Sequence, residues 1–251
     1  MKYIKENWKF FIFVILMCIV GGYFTTLYTI QSFNQAVIEE GIKQIGSKEL
    51  FITVSVVQIS LYAILFAGLG IILSNKIGLW KKFEKNNNAI NSTVIISIVG
   101  GLALSIVDKY IFGNYIDSVS HLYDSKPTIN YIISSFTYGG VFEEILLRLF
   151  LMSLIAWIIS KLFYRNKDTI PIGVFVIANI ISALLFAAGH IPGTIQLFGY
   201  VDALLLFRCF LLNGAFGLAF GWLYRKYAIH YAMIAHFGCH LVSKLIWLLF
   251  I

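Results

Sequence analysis

Seven stretches of this chain stay apolar for about 20 residues or more, the length of α-helix that crosses the hydrocarbon core of a bilayer. They run roughly from Trp8 to Ile30, Phe51 to Ser74, Ala89 to Val107, Tyr131 to Leu162, Ile170 to Gly189, Ala203 to Tyr224 and Ile229 to Ile251. Backbone N–H and C=O groups find no water inside lipid, so segments of this length must satisfy them internally as helices. Charge content agrees. Only 12% of the 251 residues are charged and 59% are hydrophobic, whereas a soluble domain carries roughly a quarter charged residues. The prediction is an all-α polytopic transmembrane helix bundle of about seven spans, with eight as the alternative count, forming a single membrane domain over residues 1–251.

Within that frame, the fourth run is long enough to be either a tilted helix or a short helix broken at Gly139-Gly140 before a full span. The apolar run after Lys9 is too long for a secretory signal peptide and lacks a small-residue cleavage site, so it is expected to be retained as the first span. Cys18, Cys209 and Cys239 are odd in number, far apart and inside apolar runs, which argues for buried thiols rather than a disulfide framework.

The net charge of +7 does not imply a nucleic-acid partner, because the basic residues sit between hydrophobic runs instead of on one soluble face. They read as topology signals. Twelve of them (Lys2, Lys5, Lys9, Lys76, Lys81, Lys82, Lys85, Lys161, Arg165, Lys167, Arg225 and Lys226) fall on one side, against four (Lys43, Lys48, Lys109 and Lys126) on the other. Short basic loops stay in the cytoplasm, which puts the N-terminus there and, with seven spans, the C-terminus outside. The segment from Gln31 to Leu50, where Glu39, Glu40 and Glu49 balance the lysines, is then an external amphipathic stretch. The Lys-, Ile- and Asn-rich composition, without organelle-targeting features, fits a bacterial cell membrane.

Ionisable groups inside a span are costly, so they are read first as functional or paired, and here they cluster in the second half of the chain. The fourth run contains Glu143, Glu144 and Arg148, the fifth ends in Phe186-Ala-Ala-Gly-His190, and the last contains His236-Phe-Gly-Cys-His240. Residues four apart share a helix face, so Glu144 can reach Arg148 and His236 can stand beside His240. Glu143 points elsewhere. One carboxylate can thus be neutralised by arginine while its neighbour projects into a cavity as a general base, although an Arg–Glu pair can also do no more than hold two helices together. Neutral imidazoles can ligate a metal, orient a water or donate to an oxyanion. The zinc-protease string His-Glu-x-x-His is absent.

These three strings resemble the signature of the CAAX prenyl protease and bacteriocin-processing (CPBP, or Abi) membrane proteins: Glu-Glu-x-x-x-Arg, then Phe-x-x-x-His, then His-x-x-x-Asn. They occur in that order on successive runs, as Glu143-Glu144 with Arg148, Phe186 with His190, and His236 with His240, so that a catalytic core of this type covers residues 128–242. The resemblance implies an intramembrane endopeptidase in which Glu143 and His190 activate a water while His236 and His240 form an oxyanion hole. Glu144, Arg148 and Phe186 would hold the site in register. One position departs from the family pattern, since His240 stands where the family has Asn. A neutral His240 can still donate to an oxyanion, or it can complete a zinc site with His190 and His236, three ligands and an open water position being the usual catalytic arrangement. The preferred reading requires no cofactor, with divalent zinc as the alternative.

Three functions remain open at this level: a peptidase acting on a membrane peptide or lipidated protein, a bacteriocin self-immunity or peptide-binding protein that does not cut, and a transporter, for which intramembrane Glu, Arg and His are also natural. Arg208, Asn213 and Lys244 are further polar groups in spans, with Lys244 expected to snorkel or pair with a neighbour; His121 and His230 fall at loop or boundary positions with no expected role. Depth poses a problem. His190 lies at the far end of its run, whereas His236 lies seven residues, roughly 10 Å, into the last one. For the two to meet, the fifth helix must stop short with 191–200 buried as a re-entrant loop, or the last must tilt or break at Gly238.

Overall fold

In the computed structural model, which describes residues 2–165 and 169–251, each apolar run is a helix. Seven are long and apolar enough to cross a membrane: Trp8–Ser32, Lys48–Lys76, Asn87–Asn114, Ile129–Phe163, Ile172–Phe198, Ala203–Lys226 and Ile229–Phe250. Polar residues just ahead of the runs start several of them. Ser47 Oγ accepts from the Leu50 N–H at 3.1 Å, Asn86 Oδ1 from Ala89 at 3.0 Å, Thr128 Oγ1 from Tyr131 at 3.2 Å and Asp202 Oδ1 from Leu205 at 2.8 Å. Each satisfies a backbone donor that the first turn leaves free. The stretch between the first two spans contains an 11-residue helix, Gln35–Ile45, capped by Asn34 and burying Ile38 on one face.

The fourth span sits at the centre of the bundle, and glycines let its neighbours approach it closely. A Cβ at Gly21 of the first span would lie 2.9 Å from the Tyr138 nitrogen, and one at Gly70 of the second would lie 2.7 Å from Leu149 Cγ. Small residues at crossings supply much of the packing where hydrophobic burial from water gives little drive. The third span packs on the seventh in the same way, through Gly100 against Cys239 and Gly101 against Val242. Outward-facing side chains such as Leu61 and Ile95 stay exposed, as lipid contact requires.

The fourth span is not broken at Gly139-Gly140. It stays helical but opens into wider π-type turns over Ser135–Glu143 and Ile145–Met152. Such turns are uncommon and concentrate at functional sites. The last span is unbroken too: Gly238 serves a close crossing, where a Cβ would run into the Ser97 hydroxyl. The interruption lies in the fifth span. Its α-helix ends at Gly189, His190 is the joint, and Ile191–Phe198 continues as a short second helix ended by Gly199 in the left-handed region at φ 81°. That segment is therefore a half-exposed helix in which only Thr194 is buried, rather than a buried re-entrant loop.

The basic loops meet at one end of the bundle, where Lys81 Nζ donates to the carbonyls of Arg225 and Lys226 at 2.9 and 2.8 Å. Lys167, counted with these residues above, lies outside the described residues. Toward the other end, Arg208 forms a two-pronged ion pair with Asp108 at 2.5 and 2.6 Å, and Tyr123 donates to the same carboxylate at 2.9 Å. This pair joins the third and sixth spans. Lys244 does not snorkel; it is buried with Nζ 3.9 Å from the centre of the Tyr131 ring.

Candidate active site

Glu143 and Glu144 are adjacent in sequence but face different surroundings. Glu144 is fully buried, with Oε1 lying 3.1 Å from Arg148 Nη1, and the arginine is buried as completely. The guanidinium lies over the rings of Phe186 at 4.4 Å and Phe220 at 5.4 Å, which cover its flat faces with π-electron density. Gly217 of the sixth span makes room for it, since a Cβ there would stand 3.0 Å from Nη2. Glu143, by contrast, keeps 17% of its side chain accessible, so it is the carboxylate that water and a substrate can reach.

Two spans, the fifth and the seventh, bring histidines to that carboxylate. His190 Nε2 lies 3.9 Å from Glu143 Oε1, and His236 Nε2 lies 3.9 Å from Glu143 Oε2. The depth problem is thus solved at the His190 joint, from which the ring reaches Glu143. Both separations are too long for direct hydrogen bonds and fit a bridging water.

The protonation of each ring follows from its second contact. His190 Nδ1 is 2.8 Å from the Phe186 carbonyl oxygen. That oxygen can only accept, so Nδ1 carries the proton and a neutral ring leaves Nε2 as an acceptor. His236 Nδ1 is 2.9 Å from Glu144 Oε1 and donates to it. The His236 ring stacks on Phe220 at 4.6 Å and on His240 at 5.0 Å. His240 Nδ1 is buried without a hydrogen-bond partner among the described residues, which favours the tautomer with the proton on Nε2. A point just off Gly139 Cα, where a Cβ would stand, is 3.0 Å from His240 Nε2 and 3.8 Å from His236 Nε2. Both Nε2 atoms therefore border one small space beside a glycine.

The structure places Glu143, His190, His236 and His240 around one site, with Glu144, Arg148 and Phe186 packed behind it. Arg208 and Asn213 do not join it: the first pairs with Asp108, and the second donates to the Cys209 carbonyl on its own helix. Asp108, the partner that fixes Arg208, falls at the end of an apolar run, and only its charge signalled a need for pairing. His121 pairs with Asp124 on the surface, and His230 lies between Phe10 and Phe83. Among the described residues, no three His, Cys, Asp or Glu side chains are grouped closely enough to hold a metal ion. His190, His236 and His240 would need to move together to do so.

No curated protein and no solved structure gives a significant match to the chain. A family model does: residues 125–242 match the one described as type II CAAX prenyl endopeptidase Rce1-like. This stretch, a little under half of the chain, contains all seven residues of the three strings, and over it the chain is similar to the Rce1-like CAAX prenyl endopeptidases.

Proposed function

We propose that this protein hydrolyses a peptide bond inside the membrane with a water held between Glu143 and His190. The observation that carries the reading is the accessible Glu143 carboxylate, 3.9 Å from an imidazole nitrogen on each of two other spans, beside a second carboxylate already neutralised. A water in the gap donates one hydrogen to Glu143 and the other to His190 Nε2, leaving its lone pair free for attack. Glu143 takes the proton as the oxygen bonds to the peptide carbon, and the carbonyl oxygen becomes an oxyanion. The oxyanion sits in the space beside Gly139, where His240 Nε2–H and His236 Nε2–H donate to it. Glu143 then passes the proton to the leaving nitrogen as the C–N bond breaks.

For His236 to donate from Nε2 while Nδ1 donates to Glu144, the ring must hold both protons. Charge balance supports this, because Glu143 and Glu144 are matched by Arg148 and His236. The family description supports a substrate with a C-terminal CAAX sequence, in which the cysteine is prenylated and the chain is held at the membrane. The basic loops support a cytoplasmic N-terminus in a cell membrane.

The test is cleavage of a farnesylated CAAX peptide and of a quenched membrane-peptide library by the purified protein, with and without chelator. Wild type should cut in both conditions, and Glu143→Ala should lose at least about a hundredfold in rate. Full activity of Glu143→Ala on a substrate that wild type cleaves would leave Glu143 as a helix-pairing residue. Loss of wild-type activity in chelator would transfer the water to a zinc held by His190, His236 and His240.

A further inference from the structure

Away from the carboxylates and histidines, one concavity collects basic side chains. It has a volume of about 890 Å³ and is lined by Lys76, Lys161, Arg165 and Arg225, at the end of the bundle where the second, fourth and sixth spans finish and the fifth begins. Among the described residues, none of the four has a carboxylate within ion-pair distance. Four cations around one space repel each other, and an anion placed among them relieves that repulsion. The neighbouring Lys81 senses the same field: burial first, and then the Arg225 charge, hold its ammonium below the usual lysine range. Lys226, next along the chain, is differently placed, with its ammonium over the rings of Trp222 and Tyr227 at 4.8 and 5.2 Å.

The rest of the lining is not that of a site for a soluble ion. Trp157, Ile170 and Phe175 form part of the wall, and the rim residue Ile172 is 64% exposed. Leu162 and Phe163, directly after Lys161, are 70% and 73% exposed. Charge at the end of a span with an apolar flank beside it matches the headgroup and chain of a lipid, and a tryptophan at that level is the usual interfacial anchor.

We propose that this pocket binds the phosphate headgroup of an anionic phospholipid, with Lys161, Arg165 and Arg225 on the phosphate and the acyl chains along Leu162, Phe163 and Ile172. The lipid would hold together the ends of four spans, two of which carry Glu143 and His190, and so brace the catalytic bundle from its basic side.

The experiment uses the full chain, extracted in detergent from mixed phosphatidylcholine–phosphatidylglycerol bilayers, with retained lipid counted by native mass spectrometry. Wild type should keep phosphatidylglycerol in preference to phosphatidylcholine. Lys161→Gln/Arg165→Gln/Arg225→Gln should lose that preference by about fivefold per charge removed, on the order of a hundredfold in all. Lys43→Gln/Lys48→Gln/Lys109→Gln, which removes as much charge from the other end, should keep it. Arg165→Gln alone, in an exposed residue past the helix end, serves if the triple variant does not fold. Equal retention by wild type and the basic-pocket variants overturns the proposal. So does thermal stabilisation by inorganic phosphate without any preference for phosphatidylglycerol, which would make the pocket a soluble-anion site. Neither outcome depends on whether the protein cleaves peptides.

Discussion

His236 on the seventh span donates its Nδ1 proton to Glu144 Oε1 on the fourth at 2.9 Å. The same oxygen is 3.1 Å from Arg148 Nη1, so one buried carboxylate oxygen fixes both a histidine and an arginine. Glu144 Oε2 has no hydrogen-bond partner among the described residues, and the whole weight of the pairing falls on Oε1.

Removing one member of that trio leaves an uncompensated buried charge. Glu144→Gln and Arg148→Met are each expected to destabilise the protein by about 3–5 kcal/mol. Thermal denaturation in detergent measures this. A double variant, Glu144→Gln/Arg148→Met, should lose less than the sum of the two, because it removes the carboxylate and the guanidinium together and leaves neither without the other. Simple addition of the two losses would mean that the groups do not interact.

Gly139 leaves open the space between the two Nε2 atoms. Gly139→Ala puts a methyl there, 3.0 Å from His240 Nε2, which can shift because it is the far end of a side chain. The expected result is a fall in kcat of about a hundredfold with little change in KM or thermal stability. A loss confined to KM would place the carbonyl oxygen elsewhere.

His240 is expected to act through one N–H. His240→Asn, which supplies an amide donor from the same helix position, should keep activity within about tenfold. His240→Ala should lose about a hundred- to a thousandfold, as does removal of an oxyanion donor in other hydrolases. If the asparagine variant falls as far as the alanine variant, the imidazole does something that a neutral donor cannot.

Asp108 and Arg208 fasten the third span to the sixth, and neither is among the ion-pair partners of Glu143, which are His190 and His236. Asp108→Asn should lower the midpoint of thermal unfolding, since Arg208 would lose its charge partner, and should leave kcat of the folded protein unchanged. Tyr123, whose phenol is pushed far up by burial first and by the Asp108 charge second, stays a proton donor to that carboxylate at any usable pH. The effect of Asp108→Asn should therefore show no step that can be assigned to Tyr123. A fall in kcat with unchanged stability would bring the pair into the site.

The seven spans were legible because bilayer thickness sets a minimum apolar length, and length is written in the sequence. The three polar strings were legible for a related reason: charges in apolar runs stand out, and i, i+4 spacing joins Glu144 to Arg148 and His236 to His240. Asp108 was harder to find, because a charge at the end of a run looks like a boundary residue until its partner, 100 positions away in sequence, is seen.

What tertiary structure alone decided is which groups meet. Sequence put His190 and His236 at different depths, and the joint after Gly189 reconciled them by turning the chain at the residue whose ring reaches Glu143. The wide turns around Glu143 and the close crossing at Gly139 likewise depend on what packs against the fourth span, not on local preference. Hydrophobicity is additive along a chain and can be read one run at a time. A contact such as His236 with Glu144, 92 residues apart, exists only once the helices have chosen their neighbours.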